Sequence, residues 1–223
     1  MRDWPPPRRS WIMAQTWRDL LFAHWPILVE DLARVVPKQF ELDLWNGQAW
    51  IGVVPFRMDH PCGTVPLPWL SATPEINVRT YVTFGGKRGV LFFSLDAANI
   101  VAVKVARRFF PLPCDDETVH YESLRDQAAF RASYGPRGPV MLAQPGTLDH
   151  WLTERYCFYT LDSHGHVLRG EIDHEPWPLQ PAEAVIEANT MTAPLGIAFP
   201  DAPPLLHFAG SIDVKVWMPE RCD

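Results

Sequence analysis

Lysine is scarce in this chain: of twenty basic residues only four are lysines, Lys38, Lys87, Lys104 and Lys215, and the rest are arginines. Amine nucleophiles are therefore confined to those positions, because a guanidinium stays protonated and does not attack a carbonyl. Cysteine is sparse too. Cys62, Cys114, Cys157 and Cys222 stand far apart without CxxC spacing, which points away from a zinc centre or a redox pair and leaves free thiols as the default. No apolar run approaches the roughly 20 residues of a membrane helix, and no charged-then-apolar leader opens the chain. A cytoplasmic location without membrane contact is expected. Basic residues never gather into a stripe: the net charge is -6, and Arg107-Arg108 is only a short run. A nucleic-acid partner is excluded on that ground, since phosphate binding needs concentrated Lys and Arg.

What the chain does have is apolar and aromatic residue, 47% and 12% of its 223 positions, enough for one large domain with a substantial core. Residues 1–12, with Pro5-Pro6-Pro7 and Arg8-Arg9, cannot build a core and are expected to form a disordered tail before a single domain over 13–223; Met13 is an alternative start. From Trp11 to Val36, Trp17, Leu20, Leu21, Leu28, Leu32 and Val35 recur at helical spacing, which predicts two helices or one kinked helix. Asn46-Gly47 between Phe40–Trp45 and Gln48–Val54 predicts a type I′ hairpin with Phe40, Leu42, Leu44, Ala49, Ile51 and Val53 inward. Met58 to Pro74 reads as a proline-rich loop. Ala97–Phe110 reads as a buried helix, Val119–Arg125 and Ala128–Tyr134 as a strand pair, and Thr147–Thr153 as a short helix. Arg155–Leu161 and Val167–Asp173 form a further hairpin, Pro181–Ala188 a short helix, and Ile212–Trp217 a final strand. Hairpin following hairpin favours an α+β domain on an antiparallel, barrel-like sheet with peripheral helices.

The candidate site lies on one hairpin. Folding Pro74–Thr83 onto Val90–Asp96 across Gly85-Gly86 sets Glu75 opposite Asp96, Asn77 opposite Ser94, Arg79 opposite Phe92 and Tyr81 opposite Val90, all on one face. Ile76, Val78 and Val82 take the other face with Leu91, Phe93 and Leu95. Rings among the charges indicate that this pair is covered on both sides, so Glu75, Asn77, Arg79 and Asp96 line a pocket. Arg79 can fork onto a small carboxylate, with Asn77, Tyr81, Glu75 and Arg57 beside it, or it can sit in a closed network of buried salt bridges. Glu75 and Asp96 are the weak candidates for general acid-base catalysis. Lys104, amid Ala102, Val103 and Val105, is either a desolvated amine or a snorkelling surface lysine. His164 and His166 flank a turn glycine and supply fewer ligands than the three a metal site needs; no metal or cofactor is expected. His174 and Trp177 suit a structural corner near the pocket mouth, and Arg155 and Tyr156 open a strand nearby.

The segments His24-Trp25-Pro26, Val54-Pro-Phe-Arg-Met58, Pro74-Glu-Ile-Asn-Val-Arg-Thr-Tyr-Val82, Phe92-Phe-Ser-Leu-Asp-Ala97, Glu154-Arg-Tyr156, His174-Glu-Pro-Trp-Pro178 and Val214-Lys-Val-Trp217 occur in one order. Together they resemble the YqjF-like family of uncharacterised conserved bacterial proteins, across roughly Trp17 to Trp217. That family is similar to the acetoacetate decarboxylase-like superfamily, which implies an antiparallel barrel with an internal cavity. Acetoacetate decarboxylase forms a Schiff base through a lysine beside a second lysine. The corresponding stretch here resembles Phe109-Phe-Pro-Leu-Pro-Cys114, and Leu112, Pro113 and Cys114 stand where the pair would fall. The resemblance makes Glu75 the counterpart of the decarboxylase's active-site glutamate. The expectation is a binder of a small carboxylate or keto compound without Schiff-base chemistry; the alternatives are a general acid-base enzyme on the same scaffold or a purely structural domain.

Overall fold

The computed structural model describes residues 2, 4–63, 73–93, 119–125 and 128–222. Asp96, Lys104, Leu112, Cys114 and the expected helix over 97–110 lie outside them.

Strand β1 (Met13–Ile27) replaces the helices expected over most of Trp11–Val36, and only α1 (Val29–Val35) is helical there. The physical reason is burial on both faces. Leu21, Ala23 and Trp25 enter one core cluster, Leu20 and Phe22 another, so the strand reads as a continuous apolar run whose spacing mimics a helix. Asp19, at φ 54°, bulges the strand where its register with β3 shifts. The chain continues through β2 (Glu41–Leu42), β3 (Ala49–Gly63), β4 (Thr73–Phe84) and β5 (Lys87–Phe92). Asn46 and Gly47 adopt positive φ in the expected tight turn, closed by the Trp45–Gln48 bridge. Beyond that bridge the hairpin opens: β2 pairs with β4, through Leu42 and Val82, and not with β3. β3 also takes in Met58–Gly63 from the segment read as loop.

The rest comprises β6 (Val119–Arg125), β7 (Ala128–Pro136), α2 (Leu148–Thr153), β8 (Cys157–Leu161), β9 (Val167–Asp173), β10 (Gln180–Asn189), β11 (Leu205–Val216) and β12 (Glu220–Arg221). β10 corrects the helix expected over Pro181–Ala188. Its alanines and glutamates favour a helix, yet pairing with β7 wins: Ala182, Ala184 and Ile186 alternate into the core while Val185 points out.

Strand order β9-β8-β5-β4-β3-β1-β11 is closed by pairing of β11 back to β9 through Lys215–Asp173 and Val216–Ile172, a ring-like sheet. Its pairs are antiparallel except β5 with β8. The β10-β7-β6 ribbon folds over one face of the ring, and Phe130, Tyr134, Ile51, Val78 and Trp25 fill the core between them. At the opposite face Phe22, Val54, Phe56 and Trp177 form a second core. The β4–β5 register is as expected where both strands are described: Arg79 faces Phe92, and Tyr81 faces Val90. In the segment before β1, Trp4 Nε1 donates to Glu171 (3.0 Å). Among the described residues no helix is long and apolar enough to cross a membrane.

Candidate functional site

One row of paired residues crosses five strands: Leu205 (β11), His24 (β1), Gly52 (β3), Arg79 (β4) and Phe92 (β5). Pairing puts their side chains on one face, so His24 and Arg79 flank a glycine. A Cβ at Gly52 would stand 2.9 Å from His24 Cδ2 and 3.4 Å from Arg79 Cγ. The missing side chain is what lets the imidazole and the guanidinium lie side by side. Gly52→Ala is accordingly expected to cost about 1–3 kcal/mol by overpacking. Urea unfolding measures it, and adding His24→Ala should return part of the loss.

Tyr81, two residues along β4, shares this face. Its hydroxyl donates to the Leu152 carbonyl (2.8 Å) and lies 2.7 Å from His24 Nε2. Arg79 Nη2 donates to the same carbonyl at 3.2 Å, and the guanidinium sits 5.2 Å from the Phe22 ring centroid. Leu152 belongs to α2, which therefore covers the row. Arg155, just past α2, donates from Nε to the Trp151 carbonyl (2.7 Å) and from Nη1 to Asp43 Oδ2 (2.7 Å). Its guanidinium lies 4.7 Å from the Tyr81 ring and 4.5 Å from that of Trp151. Arg88 takes the other side of Asp43, at 2.9 and 3.3 Å.

The charges do not balance. Arg155 and Arg88 share the carboxylate of Asp43, and Arg79, 8% exposed, has no carboxylate partner among the described residues. Arg79 Nε and Asn77 Oδ1 are buried without a hydrogen-bond partner. Buried cations need compensation, and among the described residues this face is short of negative charge.

Burial, then the neighbouring Arg79, His207 and Arg155, hold His24 well below the ordinary imidazole value and neutral. Burial likewise raises the Tyr81 hydroxyl. His207, 3.3 Å from Asp149 on α2, is also lowered by burial, as is His174. A histidine depressed in the folded state takes up its proton first in the unfolded chain. Stability is therefore complete above about pH 6.5 and declines as pH falls below that value toward the folded-state value. Urea midpoints at pH 7.5 and 5.5 should show a steeper acid loss for the parent than for His24→Gln, by up to about 1.4 kcal/mol per pH unit for this one group.

Of the residues expected at the site, Asn77, Arg79 and Tyr81 come together. Arg57 does not: it is half-exposed and pairs with Asp19 at 2.8 Å. Glu75, half-buried on the same face of β4, pairs in register with Phe56 and makes no ion pair with Arg79; Asp96 lies outside the described residues. His24 and Asp43 were not expected in the cluster; Arg155, expected near the pocket mouth or in an ordinary salt bridge, pairs with Asp43. Gly52 within an apolar strand was the available signal for close approach. His174 stacks on Tyr156 (4.6 Å) and packs against Trp177, the corner that was expected.

On the outer side of Trp151 an open cleft of about 210 Å³ is lined by Trp4, Trp45, Trp151, Tyr156, Arg88 and Arg155 among others.

The ring-like sheet has the acetoacetate decarboxylase-like fold. An acetoacetate decarboxylase-like enzyme from Sphingomonas wittichii RW1 superposes with a TM-score of 0.58 at 14% identity, covering 96% of this chain and 94% of that one. Acetoacetate decarboxylase from Legionella pneumophila gives 0.55 at 10%, covering 99% and 93%. The enduracididine biosynthesis enzyme MppR complexed with pyruvate gives 0.54 at 9%, covering 96% and 91%. At such identities the likeness is one of fold. The chain belongs to the DUF2071 family of uncharacterized conserved proteins, matched over residues 14–213. It is 45% identical over 225 residues to the uncharacterized protein YqjF of Bacillus subtilis (strain 168), covering 95% of this chain and 93% of that one.

Proposed function

We propose that this protein binds a small carboxylate or keto acid noncovalently at the face formed by Asn77, Arg79, Tyr81 and His24. The observation that carries the reading is Arg79, a buried guanidinium that shares the Tyr81 ring with Arg155 and has no carboxylate partner among the described residues, where Asp43 is taken by Arg155 and Arg88. A ligand carboxylate supplies the missing charge through a two-pronged bond, gaining strength from the low local dielectric. The complex of MppR with pyruvate is consistent with a keto acid on this fold. Tyr81 and His24 act in this reading as the polar wall that holds Arg79 in place, since the Tyr81 hydroxyl is already committed to Leu152. A cytoplasmic setting suits the free thiols of Cys157 and Cys222.

Titration calorimetry with pyruvate, acetoacetate and acetone tests this. Heat from the two acids and none from neutral acetone is expected; no saturable heat from either acid overturns it.

The chemistry is proposed to stop at binding. Lys87, a described lysine, is held at 2.5 Å from Glu171 and lies over Trp4, a paired ammonium and not a free amine. Borohydride added with pyruvate should leave the intact mass unchanged. A reduced adduct on any lysine would make this a Schiff-base protein and end the noncovalent reading.

A further inference from the structure

The cleft outside Trp151 is separate from the Arg79 face. Its lining includes none of Asn77, Arg79, Tyr81 and His24; Trp151 and Arg155, which do line it, pack against Tyr81, the guanidinium lying 4.7 Å from the Tyr81 ring and 4.5 Å from that of Trp151, with the two rings 4.6 Å apart. We propose that this cleft binds a single-ring aromatic carboxylate, its ring against the indoles and its anionic group on Arg88.

Size comes first. At about 210 Å³ the cleft is smaller than the roughly 300 Å³ at which drug-sized pockets begin, so one ring with a short acidic arm suits it. Its walls specify the ring. Trp4, Trp45, Trp151 and Tyr156 all line it, and Trp45 and Trp151 stand 6.0 Å apart at 52°; such faces favour tilted or offset packing with an aromatic guest. The charge specifies the acid. Arg88 has a 42% exposed side chain and shares its carboxylate, Asp43, with Arg155, which leaves attraction unspent for a second anion. Glu154 also lines the cleft, but its two oxygens are occupied by the Tyr156 hydroxyl (2.5 Å) and the Trp177 backbone N–H (2.9 Å). Two lining residues carry buried donors that lack an acceptor, Trp151 Nε1 and Arg155 Nη2. Acceptor-rich ligands are favoured at such places.

This proposal does not rest on the reading of Arg79, and the test keeps the two apart. Calorimetric titration with benzoate and with benzamide is compared in the parent protein and in Arg88→Met, Trp45→Leu and Arg79→Met. The expected result is saturable benzoate binding, at least about tenfold weaker benzamide binding, and a loss of about tenfold or more in both cleft variants. Arg79→Met should keep benzoate affinity within about threefold. Equal affinity for benzamide overturns the anionic part. Loss in Arg79→Met with retention in Arg88→Met and Trp45→Leu moves the benzoate to the inner face and overturns the cleft. Absence of saturable binding to the parent overturns the whole proposal. Should Arg88→Met fail to fold, as far-UV circular dichroism would show, Trp45→Leu on another wall decides the outcome by the same criterion.

Discussion

Arg79→Met should leave the protein folded and abolish its affinity for pyruvate and acetoacetate. The fold is expected to change little because the guanidinium gives up one hydrogen bond, to the Leu152 carbonyl, and its stacking over Phe22. Together these are about 1–2 kcal/mol. Against that loss, methionine of similar length fills the space and no longer requires a buried, uncompensated charge. Binding loses both prongs of a charge-assisted contact, each worth about 1.5–3 kcal/mol, which is a hundredfold or more in Kd. Thermal unfolding, with and without pyruvate, reads both quantities. The expected pattern is a shift of a few degrees in Tm for the variant, at roughly 2–4 °C per kcal/mol for a chain of this size, and no further rise when pyruvate is added. A fall corresponding to about 3–5 kcal/mol, with no pyruvate effect in the parent, would instead make Arg79 a structural strut for α2.

Much of that argument was legible in the β4–β5 hairpin. Gly85-Gly86 sets a two-residue turn, and a period of 2 then dictates that Asn77, Arg79 and Tyr81 share a face. The partners were not legible, because each arrives from a distant element. His24 lies on a strand that looked helical, since both faces of β1 are buried and its apolar residues fall at both spacings. Asp43 follows the short β2, whose pairing with β4 is a tertiary choice that local spacing does not encode. Leu152 contributes only a carbonyl, and no side-chain motif can announce a backbone acceptor. The salt-bridge network expected for Arg79 rested on Glu75 and Asp96, and Asp96 lies outside the described residues. Among the described residues the nearby ion pairs lie on Asp43 with Arg155 and Arg88, and Arg79 has no carboxylate partner there.

These ion pairs make Asp43 a sensitive position for stability. Its carboxylate compensates Arg155, whose side chain is only 5% exposed, whereas Arg88 at 42% can turn to water. Asp43→Asn keeps the shape and an acceptor oxygen but removes the charge, stranding Arg155 against the Tyr81 and Trp151 rings. Breaking a buried pair in this way costs about 3–5 kcal/mol, a fall of roughly 10 °C in Tm for a chain of this length. The same change leaves the inner face with more uncompensated positive charge. Pyruvate, if it binds at Arg79, should therefore stabilise Asp43→Asn by more than it stabilises the parent. The two effects have opposite signs, and general damage to the fold cannot produce both. A double-mutant cycle completes the test. Adding Arg155→Met to Asp43→Asn leaves no charge stranded, so the double variant should recover most of the loss. If it unfolds as easily as Asp43→Asn alone, the stranded Arg155 charge is not the cause of the loss, and the charge imbalance that motivates a carboxylate ligand has been misplaced.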